Sequence, residues 1–285
     1  AALYGTAYTN PVTGYAAYLD VENWVHHFIL QNFPKNQDAV VLSTYLLRES
    51  PSARLRHGPV WDFDRAYTRN PTSTSPTTNL DWARDRVYYA RLFTDVNFFQ
   101  AYIDKWQALR RGVFADSNLL AIVDRQVNEV APGGTNNSVL TREGMTDWPT
   151  RIASFKTWLT NRTAALDGLF LRRPLFSQEG GAIPNGFTLG LANPNPAGTV
   201  FFTVDGSDPR APGGAVASGA QAWPQSVVLN ATTVVRARVQ NGTNWSGLAE
   251  ALFVTPQDFS GLALTELMYN PLPAGATNGE IGRAH

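Results

Sequence analysis

The chain has no cysteine, which excludes disulfides, thiolate metal sites and cysteine nucleophiles. That absence fits an exported bacterial protein as well as a cytosolic one. Lysine is scarce: Lys35, Lys105 and Lys156 are the three, and the other basic side chains are arginines. Acidic and basic residues balance at 23 each, and the pI is near 7.1, so no basic field exists to hold DNA or RNA by counterion release. A nucleic-acid partner is therefore not expected. No run approaches the roughly 20 apolar residues of a membrane span. The opening Ala1-Ala2-Leu3-Tyr4-Gly5 also lacks the basic and apolar regions of a signal peptide, so the chain is expected to begin within a larger protein. What it does have is length and apolar content: 285 residues, 44% of them apolar, suffice for two domains, each with its own core.

The most informative stretch runs from Asn36 to Tyr67. Val40, Val41, Leu42, Tyr45, Leu46 and Leu47 have the β-branched, aromatic and aliphatic character of a buried strand. Ser50-Pro51-Ser52 reads as a turn, and His57-Gly58-Pro59 as a second break ahead of Val60-Trp61-Asp62-Phe63-Asp64. A hairpin between these breaks brings Asp38 and Asp62 together, although 24 positions separate them. Two readings stand for these aspartates. In turns next to strands, carboxylates serve as caps that accept backbone N–H bonds. Gathered at strand ends beside Trp61 and Phe63, they also suit a divalent metal bound to phosphate, since Mg²⁺ takes one or two protein carboxylates and leaves its other positions to water and phosphate oxygens.

Asn36-Gln37-Asp38, Ser43-Thr44-Tyr45 and Gly58-Pro59-Val60-Trp61-Asp62-Phe63-Asp64 together resemble the CotH (spore-coat protein H) family of secreted atypical protein kinases. The resemblance implies that Asp38 corresponds to the catalytic-loop aspartate and orients or deprotonates the acceptor hydroxyl. It implies that Asp62 holds Mg²⁺, with Asp64 as a second ligand or a structural carboxylate, and that ATP is the phosphoryl donor. One departure concerns the second metal. Kinase catalytic loops carry a metal-binding asparagine five residues after the aspartate, and Ser43 stands there as a cofactor-binding candidate with a poorer ligand atom. Kinases also need a nucleotide-clamping lysine on a strand. The first lysine here is Lys35, in an expected loop, so the chain is expected to be inactive alone.

Around this stretch the pattern is helical. Residues 1–19 read as a loop. Asp20 is placed to cap a helix in which Val21, Trp24, Val25, Phe28 and Ile29 share one face. His26 and His27 lie in it, too far apart in direction to chelate one metal, and are expected to be packing and surface residues. His57 is expected in a turn beside the site. Residues 68–79 read as a mobile loop. Three amphipathic stretches follow: Asp95 to Arg111, one capped by Asp116, and Pro149 to Phe170 with proline in its first turn. The stripe containing Trp106 is expected to be core.

Arg172-Arg173-Pro174 marks a boundary, after which short strands alternate with Gly, Pro and Asn. Thr199 to Val204 and Thr233 to Val239 are expected strands, and Arg236 and Arg238 alternate with Val235, Ala237 and Val239. The pattern indicates a small β-sandwich. Asp205-Gly206-Ser207-Asp208 and Trp245-Ser246 resemble the immunoglobulin-like module at the C-terminus of chitobiases and hexosaminidases. Asp205 and Asp208 are expected to serve turn geometry rather than Ca²⁺, and Trp223 and Trp245 to pack rather than stack on sugar. Leu262 to Pro271 resembles the first strand of a lamin-tail-like domain. The final Glu280 to His285 has no structural logic and is expected to be sequencing read-through.

The expected fold is thus multidomain: an α+β, mostly helical part of an atypical kinase fold over residues 1–171, and an all-β immunoglobulin-like sandwich over 172–256. A truncated lamin-tail start over 257–279 completes it. The expected activity is transfer of the ATP γ-phosphoryl group to Ser/Thr hydroxyls of a secreted or cell-surface protein. The β module offers a possible glycan contact. The rival is a non-enzymatic extracellular protein that binds glycans or partners.

Overall fold

The structure is a computed structural model that describes residues 2–67, 75–134, 148–223, 227–257 and 260–263. Helix α1 spans Val21–Asn32, and its N-cap is Asp20, whose carboxylate accepts the Asn23 N–H at 3.1 Å. Trp24, Val25, Phe28 and Ile29 are buried on one face, as the helical spacing requires. A short helix α2 (Val87–Leu92) was not legible in the sequence. Helix α3 (Val96–Arg110) starts at Asp95, which caps Asn97 and also accepts the Tyr15 hydroxyl at 2.8 Å. Helices α4 (Asp116–Gly134) and α5 (Trp148–Asp167) pack against each other. Asp116 is not the expected cap. It lies inside the first turn of α4, where its carboxylate accepts from Arg110 Nη1 and Thr163 Oγ1.

The apolar faces meet in one core dominated by rings. Phe28 and Tyr102 cross edge to face at 5.0 Å, and Phe33 and Phe114 at 4.9 Å. Each such pair adds about 0.5–1.5 kcal/mol beyond the area it buries. Trp106 is buried there, as its place on the α3 stripe predicts.

The expected buried strand at 40–47 is not formed. Residues 37–43 are turns, and only β1 (Leu46–Leu47) is extended, paired antiparallel with β2 (Arg56–His57). Val40 and Ser43 adopt φ of 64° and 45°, which no strand tolerates. With two residues per strand and no further layer, the apolar side chains Val41, Leu42, Tyr45, Leu46 and Leu47 stay exposed. The hairpin itself, with its turn after Ser50, follows the sequence. Of the expected loop at 68–79, residues 68–74 lie outside the described residues, and 75–79 form turns.

A second core occupies the β part. Strands β3 (Leu175–Phe176) and β6 (Leu191–Ala192) pair, as do β5 (Phe187–Leu189) and β9 (Val227–Leu229). The larger sheet runs β4 (Gly181–Ala182), β12 (Ala249–Val254), β10 (Thr233–Asn241), β7 (Thr199–Thr203), β8 (Gln221–Ala222), and β11 (Asn244–Trp245) also pairs with β10. Its alternation is clean: Val235, Ala237 and Val239 face the core with Phe202, Ala249, Ala251 and Phe253. Trp245 is buried and donates its indole N–H to Gly214 O at 2.8 Å, in line with a packing role. Asp205 accepts from Ser207 N and Oγ, and Asp208 from Arg210 N and Arg238, the turn and framework roles expected of them.

Arg238 departs from the pattern. Alternation puts it on the outward face of β10, yet it is buried, because that face meets α3. Its guanidinium grips Asp104 of α3, Asp208 and the Ser246 carbonyl. Gln100 Nε2 donates to the same carbonyl, and Arg210 reaches Asn97 and Val96. The two cores are thus joined by a polar seam. The lamin-tail-like strand from Leu262 and the segment 280–285 fall, apart from Leu262 and Ala263, outside the described residues.

Candidate active site

Three side chains tie the Asp38 turn to the loop that carries Asp62. Asn36, fully buried just beyond α1, donates through Nδ2 to Gln31 Oε1 and to the Asp62 carbonyl, both at 3.1 Å. Ser43 donates to Asp62 Oδ2 at 2.8 Å. Arg65 donates to Asp38 Oδ1 at 3.1 Å. The expected juxtaposition of the two aspartate loops is present, made by side-chain bonds and not by a long hairpin. Asp62 and Asp64 are exposed, whereas Asp38 is only about one-fifth exposed.

The backbone here is strained. Among the described residues seven non-glycine positions have positive φ, and Lys35, Val40, Ser43, Asp62 and Tyr67 are five of them. Val40 is the most telling: a buried β-branched residue at φ 64°, two positions after Asp38, with its N–H held by Thr44 Oγ1 at 3.0 Å. Such conformations cost about 1–3 kcal/mol each and concentrate where function fixes the backbone.

Asp38 opens into a pocket of about 260 Å³ lined also by Lys35, Arg65, Asn79, Trp82 and Arg86. Asp62, Asp64 and Ser43 do not line it. Lys35 is buried, and its ammonium donates to Ser75 O at 2.9 Å and Thr78 O at 2.7 Å. Burial, then the nearby Arg162, pushes its pKa down to about 8, so it remains mostly charged at neutral pH. Arg162 is itself buried and donates to the carbonyls of Asn32, Phe33, Pro76 and Leu80. Both cations clamp the 75–80 segment against the end of α1. Arg86 lies over the Trp82 indole at 4.6 Å. The sequence reading missed this basic lining. Its only signals were Lys35 three positions before Asp38 and Arg65 directly after Asp64.

His57 is not the turn residue expected beside the site. It is buried in β2, its ring stacked on His27 at 3.6 Å and 2°. Tyr89 Oη lies 3.0 Å from His27 Nδ1 and 3.4 Å from His57 Nε2, and donates to Trp24 O. Burial pushes the imidazoles down to about 4 for His27 and about 3 for His57, so both are neutral. His26 is on the surface near Glu22.

A sequence model for the family described as CotH kinase protein matches residues 6–166, more than half of the chain. The chain belongs to the CotH kinase protein family. The match spans the α-helical part and contains Asp38, Ser43, Asp62 and Asp64, so the CotH assignment rests on the segment that builds the site. It gives a kinase-like function at family level. No curated protein and no solved structure matches the chain. Among the described residues no group of three or more His, Asp or Glu side chains gathers as a metal cage. An Mg²⁺ ion carried by phosphate needs no such cage, and an exposed carboxylate steadied by one hydroxyl, as in Asp62, fits it. Among the described residues no helix is long and apolar enough to cross a membrane.

Proposed function

We propose that this CotH chain carries the acceptor and metal half of a phosphoryl-transfer site that moves the ATP γ-phosphoryl group to a Ser or Thr hydroxyl of a secreted or surface protein, and that without a nucleotide-clamping lysine on a strand it binds the nucleotide but does not turn it over alone. The observation that carries the reading is the tie through Asn36 and Ser43, which brings the Asp38 and Asp62 loops side by side. Asp62 is the metal ligand, and Asp64, exposed two residues on, is available as a second. Ser43 belongs to the cofactor site through its bond to Asp62 Oδ2, which leaves the other carboxylate oxygen to the metal. Mg²⁺ held there with ATP supplies charge neutralisation on the transferring phosphoryl group. Asp38 accepts the acceptor hydroxyl's proton as the new O–P bond forms and the bridging O–P bond to ADP breaks. Its ion pair with Arg65, more than half of whose side chain is exposed, is of the kind worth about 0–1 kcal/mol and opens readily.

We read the β part, with its alternating sheet and the smaller sheets that complete its core, as an immunoglobulin-like module. Its glycan contact remains part of the same proposal.

The decisive experiment titrates the chain with a non-hydrolysable ATP analogue in an isothermal calorimeter. Binding should need Mg²⁺, vanish in EDTA and vanish in Asp62→Asn, which keeps a side chain that tolerates φ of 63°. Metal-independent binding, or binding that survives Asp62→Asn, would sink the reading.

A further inference from the structure

The pocket beside Asp38 has a composition that phosphoryl transfer from a metal-bound nucleotide does not account for. Three cations, Lys35, Arg65 and Arg86, line it against a single carboxylate, Asp38. The metal-side residues Asp62, Asp64 and Ser43 are not in its wall, so these charges lie on the acceptor's side of the site. The charge of Lys35 is also not spent. Lys35 uses two of its three ammonium hydrogens on neutral carbonyls, which leave its charge uncancelled. Trp82, in the same wall, has a buried indole N–H with no acceptor among the described residues. A buried donor without a partner costs about 1–3 kcal/mol. Finally, Arg65 donates to Asp38 Oδ1, so an anion that draws this weakly held guanidinium away leaves both carboxylate oxygens to the acceptor hydroxyl.

We infer that this pocket binds an anionic group, a carboxylate or phosphoryl group on the acceptor polypeptide next to its hydroxyl, and that Arg65 exchanges Asp38 for it. The inference rests on the reading of Asp38 as the acceptor-side carboxylate. Arg86 and Lys35 supply the remaining charge, and the guanidinium forks suit both oxyanions bidentately. The acceptor thereby frees the base that acts on it. Hydroxyls flanked by acidic or already phosphorylated residues are selected, and a neutral acceptor leaves Asp38 paired.

Fluorescence anisotropy with the full chain tests this with labelled nonapeptides, each with a central serine flanked by glutamate, phosphoserine or glutamine. The glutamate and phosphoserine peptides should bind at least about tenfold more tightly than the glutamine peptide, with the difference shrinking as salt rises. Arg86→Glu should abolish the preference, and the milder Arg86→Gln should reduce it, with unchanged melting curves because Arg86 is exposed. Equal affinity for glutamate and glutamine peptides would overturn the proposal, as would a preference that survives Arg86→Glu. Tripolyphosphate is the second probe. If it binds, weakens in Arg86→Glu and finds no acidic-peptide preference beside it, the cations serve the nucleotide's phosphates and the proposal fails. The outcomes separate from those of the kinase reading: loss of Mg²⁺–nucleotide binding with the acidic preference intact fails only phosphoryl transfer. Retained nucleotide binding without the preference fails only the acceptor subsite.

Discussion

Arg238 of β10 and Asp104 of α3 hold each other across the seam between the two cores, with Nη2 and Oδ2 2.9 Å apart. The arginine is buried to 1% exposure and shares a second carboxylate, Asp208. Removing one partner of a buried ion pair leaves charge without compensation, at a cost of several kcal/mol. Asp208 still compensates Arg238 and Asp104 is partly exposed, so Asp104→Ala is expected to destabilise by about 2–3 kcal/mol, below the cost of a fully stranded charge. Urea unfolding followed by far-UV dichroism measures it. A change below about 0.5 kcal/mol would make the seam incidental.

The stacked imidazoles of His27 and His57 give stability a pH dependence. Their folded pKa values, about 4 and about 3, lie below the unfolded value near 6.5. Between pH 6.5 and 4 the unfolded chain therefore binds more protons, and stability falls as pH falls through that window. Urea midpoints at pH 7.5 and 5 should differ, the lower pH being less stable. In the double variant His27→Phe, His57→Phe most of that difference should disappear.

Arg162 closes the end of α1 and the 75–80 segment through four backbone carbonyls. Arg162→Met keeps the stem and removes every donor, leaving buried carbonyls unpaired at about 1–3 kcal/mol for each that finds no water. A total loss of at least about 3 kcal/mol is expected from denaturant unfolding. Hydrogen exchange should also rise at residues 75–80, whose carbonyls that side chain and Lys35 hold together.

Ser43→Ala isolates the hydroxyl that steadies Asp62. Outer-shell partners of metal ligands are worth about tenfold to a hundredfold in affinity, and a single exposed bond belongs at the lower end. Mg²⁺-dependent nucleotide binding should weaken about tenfold by calorimetry, with the melting temperature unchanged. Unchanged nucleotide affinity would remove Ser43 from the cofactor site.

The helical half was legible because its signals are local. Asp20 sits one residue before an amphipathic run and caps it as expected, while Asp95, read as the first residue of its run, is the cap there and Asp116, expected as a cap, lies inside α4. The β half was legible by alternation, as at Val235, Ala237 and Val239. The failures share a physical cause: partners distant in sequence. Arg238 looks solvent-facing until α3, 134 positions away, supplies Asp104. His57 looks like a turn residue until His27 stacks on it. The run from Val40 to Leu47 reads as a buried strand because its composition is apolar, but burial needs a covering layer, and positive φ at Val40 and Ser43 breaks the extended chain first. At the site, the motif placed Asp38 and Asp62 on facing loops. It said nothing of Lys35, Arg65 and Arg86, since a pocket wall gathers residues from three separate segments.

Lys35 is anchored by the carbonyl oxygens of Ser75 and Thr78, not by a carboxylate. Dipoles of that kind orient an ammonium without annulling it, so a protein whose formal charges sum to zero still offers one locally electropositive mouth. Anionic molecules drifting nearby are drawn there over distances of about 10 Å at 0.1 M salt, and their encounter rate climbs as the solution is diluted.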